Sequence, residues 1–80
     1  MAKYDPLRNH LSLSGQTRLT MTFDQIAALV GPLPPTASRR PEWWANNTDR
    51  HVQAAAWLGA GYSTDSVDLT DGVVTFLKFR

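Results

Sequence analysis

Arg18-Leu19-Thr20-Met21-Thr22-Phe23-Asp24-Gln25-Ile26-Ala27-Ala28-Leu29-Val30 changes its hydrophobic period midway, and that change decides the fold. From Arg18 to Phe23 polar and apolar side chains alternate, the period of a half-buried strand. Phe23, Ile26, Ala27 and Val30 then fall on one stripe of a helix, which Gly31-Pro32 ends because proline cannot continue it. Thr22-Phe23-Asp24-Gln25 marks the junction as a capping box: the Thr22 hydroxyl accepts from the Gln25 amide, and Gln25 reaches back to the Thr22 backbone. A strand this short needs partners.

The end of the chain supplies them. Residues 62 to 69 and 73 to 79 alternate as two further strands, and Thr70-Asp71-Gly72 between them carries the Asp-Gly pair of a tight hairpin. At the other end, Tyr4-Asp5-Pro6-Leu7 reads as a helix start, with Asp5 as the cap and Pro6 at the first helical position. Leu7 and Leu11 share a face of this helix, and Ser14-Gly15 stops it. Leu33-Pro34-Pro35-Thr36-Ala37-Ser38 admits at most one short helical turn. A third helix is expected from Asn47 or Thr48 to Leu58, terminated by Gly59-Ala60-Gly61. A step of about 100° per residue places Val52, Ala55, Ala56 and Gly59 on its inner side and Arg50, Gln53, Ala54 and Trp57 on its outer side.

The resulting order, α-β-α-α-β-β, is that of a winged helix-turn-helix: an α+β domain with three helices packed on a small antiparallel sheet, here one domain over residues 1–80. The third helix of such a domain faces the DNA major groove. Two features depart from the pattern. The connection over residues 31 to 46 is far longer than the usual turn of about three or four residues, so it either adds a contact surface or plugs a gap in the core. The hairpin carries Asp68 and Asp71, which would repel phosphate if they faced it.

The long connection leads into Arg39-Arg40-Pro41-Glu42-Trp43-Trp44-Ala45-Asn46-Asn47-Thr48-Asp49-Arg50-His51-Val52-Gln53, a segment crowded with tryptophans, arginines and amides. It reads as a candidate nucleic-acid surface made of Arg39, Arg40, Trp43, Trp44, Asn46, Asn47, Arg50 and Gln53. Arg50 and Gln53 are placed to read bases, since arginine pairs bidentately with guanine and glutamine with adenine. Arg39, Arg40 and Asn46 would hold the backbone. Each has a plainer alternative. One of the adjacent tryptophans is expected to fill the core, Asn46 and Asn47 suit turns and caps, and any one arginine could be a solvated charge. Trp57 is expected to clamp the long loop or the hairpin.

Composition narrows the classes. The 80 residues carry 8 Lys and Arg against 7 Asp and Glu, for a formal net charge of +1, too little for a nucleoid-coating protein or a polybasic membrane binder. The 42% hydrophobic content is that of a folded domain, and the absence of cysteine excludes disulfides and thiolate metal sites. Met1-Ala2-Lys3-Tyr4-Asp5-Pro6 lacks the apolar run of a signal peptide, so a soluble, cytoplasmic protein is expected. His10 and His51 lack metal-ligand spacing, the serines lie in no nucleophile motif, and no Gly-rich phosphate loop occurs; neither an enzyme nor a cofactor is expected.

The expected function is that of a small DNA-binding protein, a phage or mobile-element transcriptional regulator reading double-stranded DNA, with a homodimer as one possible state. The alternative is a protein-interaction module, a phage-encoded inhibitor of a host protein, that uses the aromatic loop at residues 39–47 and anchors such as Trp57.

Tyr4-Asp5-Pro6-Leu7, Thr22-Phe23 with Ile26, Leu33-Pro34-Pro35 with Ala37, Trp43-Trp44-Ala45-Asn46, and Trp57 followed by Ala60-Gly61-Tyr62 form a further pattern. Over nearly its full length the chain resembles a small domain family of unknown function found in bacteria and their phages. The resemblance implies a phage or mobile-element context rather than a mechanism, and it carries over no functional residue.

Overall fold

Pro6 and Gly15 bound the first helix, α1 (Asp5–Ser14), in the computed structural model, which describes residues 3–49 and 51–80. Gly15 adopts the left-handed conformation (φ 66°) that ends it. Asp5 is the first helical residue rather than the cap; Tyr4 takes the cap position without a side-chain cap bond. Strand β1 (Arg18–Thr22) runs directly into helix α2 (Phe23–Val30) through the expected capping box. Thr22 Oγ1 accepts from the Gln25 amide at 3.0 Å, and Gln25 Oε1 accepts from the Thr22 amide at 2.9 Å.

The long connection holds more structure than its composition announces. Helix α3 (Pro35–Arg39) is followed by a 3-10 turn (Pro41–Trp44), then by irregular chain to helix α4 (Ala54–Gly59). Strands β2 (Tyr62–Asp68) and β3 (Val73–Lys78) complete the chain. Their connection is a four-residue turn over residues 69–72 in which the Gly72 amide donates to Asp68 O at 2.8 Å. Gly72 has φ 68°, the left-handed conformation that makes glycine the residue for this turn.

The sheet is antiparallel in the order β1-β3-β2, so the short first strand pairs with the hairpin's return strand, Met21 opposite Val74 and Leu19 opposite Phe76. A register shift between Thr64 and Ser66 kinks β2. Helix α1 packs against α2 and α4, and α4 against β2. Between helices and sheet lies one core that includes Leu7, Leu11, Ile26, Val74 and Phe76. Among the described residues, then, the fold is α+β, with four helices and a three-stranded sheet.

Helix α4 differs from expectation in both start and face. It begins at Ala54, about two turns after the expected start, because the chain before it is committed elsewhere: Asn47 Oδ1 accepts from the Asp49 amide at 2.8 Å, bending residues 47–49 into a turn. Its inner side carries Gln53, Ala54 and Trp57, while Val52, Ala55 and Gly59 are exposed. Ala56 alone of the expected inner set is buried. Trp57 sets the orientation. Burying its ring removes about 150–250 Å² from water, more than Val52, Ala55 or Gly59 offers singly.

Candidate functional site

The aromatic loop is the interior of the protein. Trp44 is 2% exposed, and its Nε1 donates to Ala37 O at 2.8 Å, tying the 3-10 turn to α3. Its ring stacks on Phe23 (5.1 Å between centroids) and on Trp57 (5.8 Å), and Trp57 leans on Phe76 at 5.7 Å. The inserted segment thus plugs a gap in the core. Trp43 is half-buried, edge-on to Trp44 at 4.6 Å and to Tyr4 at 6.1 Å, and Trp57, expected as a clamp, is a fully buried core residue.

Asn46 joins these parts. Its Oδ1 accepts from the Thr64 amide at 2.8 Å and from Trp57 Nε1 at 3.0 Å, while its Nδ2 donates to Thr64 O at 3.1 Å. One side-chain amide therefore pairs with both backbone groups of Thr64, as a neighbouring strand would, on the outer edge of β2. Both polar atoms of the Asn46 side chain are engaged in holding the fold, Oδ1 accepting also from Thr64 Oγ1 at 3.0 Å. Asn47 is likewise a turn residue.

Gln53 overturns the expected base-reading face. The residue is 5% exposed, and its Nε2 donates to Trp43 O at 2.7 Å. Its amide satisfies a carbonyl of the loop and projects nowhere. Arg50, its expected companion, lies outside the described residues. What α4 presents to solvent is Ala55 and Gly59, and Val52 just before it is 74% exposed, none with a side-chain hydrogen-bonding group.

Of the expected residues, the structure brings Arg39 and Arg40 together at the surface. Both are exposed and line an open concavity of about 480 Å³ with Pro35, Thr36, Pro41 and Glu42. Among the described residues neither forms an ion pair; the recorded pair is Arg18 with Asp65, at 3.8 Å. Asn46, Asn47 and Gln53 serve the scaffold behind this surface, so the expected group divides into two cations and a structural remainder.

A second concavity, of about 200 Å³, lies between the start of α1 and α4, lined by Lys3, Tyr4, Asp5, Arg8, Val52, Ala55 and Ala56. Burial raises the pKa of the Tyr4 phenol above its usual value. Lys3 and Arg8 were absent from the residues singled out in the sequence; the signal available was their position on either side of Tyr4, at the open end of the first helix. Among the described residues no group of His, Asp and Glu side chains is placed to hold a metal ion. No described helix is long and apolar enough to cross a membrane.

A family model described as a domain of unknown function, DUF7662, matches residues 4–78. The chain belongs to that family. The DUF7662 match takes in α1, the aromatic core, the Arg39–Arg40 concavity and the sheet, and leaves out Lys3 of the second concavity as well as Phe79 and Arg80. No curated protein and no solved structure matches the chain.

Proposed function

We propose that the chain is a winged-helix-like module that binds double-stranded nucleic acid through its phosphate backbone, with little discrimination among bases. The observation that carries this reading is the pair of adjacent, exposed guanidiniums, Arg39 and Arg40, on one concave surface without ion-pair partners among the described residues. Phosphate contacts supply affinity and orientation but no sequence information. The strand order β1-β3-β2 and the succession of α1, α2 and α4 around it support the winged-helix likeness. The likeness does not extend to base readout, because Gln53 is turned inward and the outward side chains of α4 have neither donors nor acceptors. The hairpin turn is not remote from the arginines: Asp71 and Asp24 share a concavity with Ser38, the residue before Arg39, so these carboxylates border the basic surface and limit its attraction for phosphate.

The test is fluorescence anisotropy with two labelled duplexes of unrelated sequence over a range of salt. The two isotherms should coincide, and each phosphate contact should contribute a slope of about −0.9 in log K against log salt. Arg39→Ala should lower affinity for both duplexes equally and reduce the slope by about 1. Absence of binding at low salt would sink the reading.

A protein partner is the second reading, favoured by the apolar floor of the α1/α4 concavity and by the exposure of Val52. It expects binding that Val52→Asp abolishes and that salt barely alters.

A further inference from the structure

Two arginines distant in sequence converge on the exposed end of α4. Arg8, on α1, lies along Gly59: a Cβ at that position would sit 3.3 Å from Arg8 Nε and 3.7 Å from Cζ. Glycine at this position lets the Arg8 side chain lie close against the helix end, where a Cβ would require it to shift by a few tenths of an ångström. Arg80 reaches the same place from the other side, its Nη2 donating to Leu58 O at 3.2 Å and to Gly59 O at 3.3 Å. A Cβ at Gly61 would meet Arg80 Cγ at 3.1 Å, so the second arginine is also laid against a glycine.

The charges do not cancel one another. The carbonyls at a helix C-terminus carry a partial negative charge, which Arg80 occupies with a single nitrogen. The Arg80 guanidinium also lies over the Phe79 ring at 5.8 Å from its centroid, and the Arg8 side chain makes no hydrogen bond or ion pair among the described residues. Asp5, which lines the α1/α4 concavity with Arg8, is the carboxylate nearest in sequence. Two guanidiniums therefore lie beside one exposed glycine, and guanidinium is the side chain best suited to an oxyanion.

We propose that Arg8 and Arg80, drawn together over Gly59, form a phosphate-binding site. The site stands on its own geometry for phosphate as such; its use by a nucleic-acid backbone rests on the reading above.

The experiment titrates the isotopically labelled chain with inorganic phosphate at constant ionic strength, following arginine Nε–Hε signals and backbone amides. Saturable shifts are expected at Arg8 and Arg80 and at the amides of Gly59, Ala60 and Gly61, with chloride giving none. Arg8→Ala should weaken phosphate association about tenfold, the worth of one charge-assisted hydrogen bond, and Arg8→Lys should recover part of it. Arg8 is the primary variant because its side chain holds nothing in the fold, whereas Arg80 also caps α4. Equal shifts with chloride, or undiminished association in Arg8→Ala, overturn the proposal. A second arm uses duplex DNA. DNA shifts at these same signals support a phosphodiester as the occupant. Phosphate binding there without DNA shifts keeps the site, makes a small phosphorylated molecule its occupant and removes it from the nucleic-acid surface. DNA binding that depends on Arg39 while phosphate leaves Arg8 and Arg80 silent overturns the site and spares the backbone reading.

Discussion

Replacing Asn46 with alanine tests whether the Trp-Trp-Ala-Asn segment serves the fold or a partner. The cost can be worked from its three partners. Trp57 is 0% exposed and its Nε1 has Asn46 Oδ1 as its acceptor, so truncation strands a buried donor, at about 1–3 kcal/mol. The Thr64 amide and carbonyl lie on a sheet edge that water can reach, so losing those two bonds adds about 0.5–1 kcal/mol in all. The sum, about 1.5–4 kcal/mol, is a large part of the roughly 5–15 kcal/mol that stabilises a domain. In a thermal melt followed by circular dichroism it should lower the midpoint by about 4–8 °C for each kcal/mol. Trp57→Phe supplies the control, since it removes the donor itself. In a double-mutant cycle the combined loss should fall short of the sum of the single losses by about 1–2 kcal/mol, because only one variant can strand the same N–H. A midpoint unchanged in Asn46→Ala, or strictly additive losses in the cycle, would refute the assignment of Asn46 to the fold.

Gln53→Ala should behave in the same sense, losing about 1–3 kcal/mol in chemical denaturation because the Trp43 carbonyl loses its partner, while leaving the relative affinities for different duplexes unchanged. Tyr4 sets a pH limit. Its phenol has a pKa raised by burial, so the folded state holds that proton more tightly than the unfolded chain does. The associated stability is fully present below the ordinary value of 10.0 and is lost as pH rises through the raised one. Denaturation midpoints measured across that range should fall more steeply for the parent chain than for Tyr4→Phe; parallel curves would remove the phenol from the account.

Local chemistry was legible wherever one residue type answers one backbone need. The capping box at Thr22 and Gln25, the left-handed exit at Gly15 and the Leu7 and Leu11 stripe all stand where the sequence places them. The third helix was misread because the rotation about its axis was fixed from the small residues Ala55, Ala56 and Gly59 rather than from Trp57. The tryptophan's area outweighs theirs, and turning it inward carries Gln53 and Ala54 with it, one turn away on the same stripe. The late start at Ala54 was illegible for a different reason. Asn47 suits a helix cap and an isolated turn equally well, and tertiary contacts of its neighbour Asn46 with Thr64 decide between them.

The same contacts explain why the candidate site contracted to its cations. Trp43, Trp44, Asn46, Trp57, Gly61 and Tyr62 all belong to the pattern that first linked the chain to a family, and all six hold the interior together. Trp44 and Trp57 stack, Asn46 bonds to Trp57 and Thr64, and Tyr62 closes on Gln16 O and Ser14. That part of the pattern therefore describes how an inserted segment is packed into a small domain. The packing has a consequence at the surface. With Trp44 Nε1 fastened to Ala37 O, α3 and the 3-10 turn form a fixed corner, and Arg39 and Arg40 stand at its bend. A cation carried on a rigid corner loses less backbone freedom on meeting a phosphate than one on a mobile loop. On the reading proposed above, the aromatic core acts on binding indirectly, by holding the backbone beneath the two guanidiniums assigned to the contact.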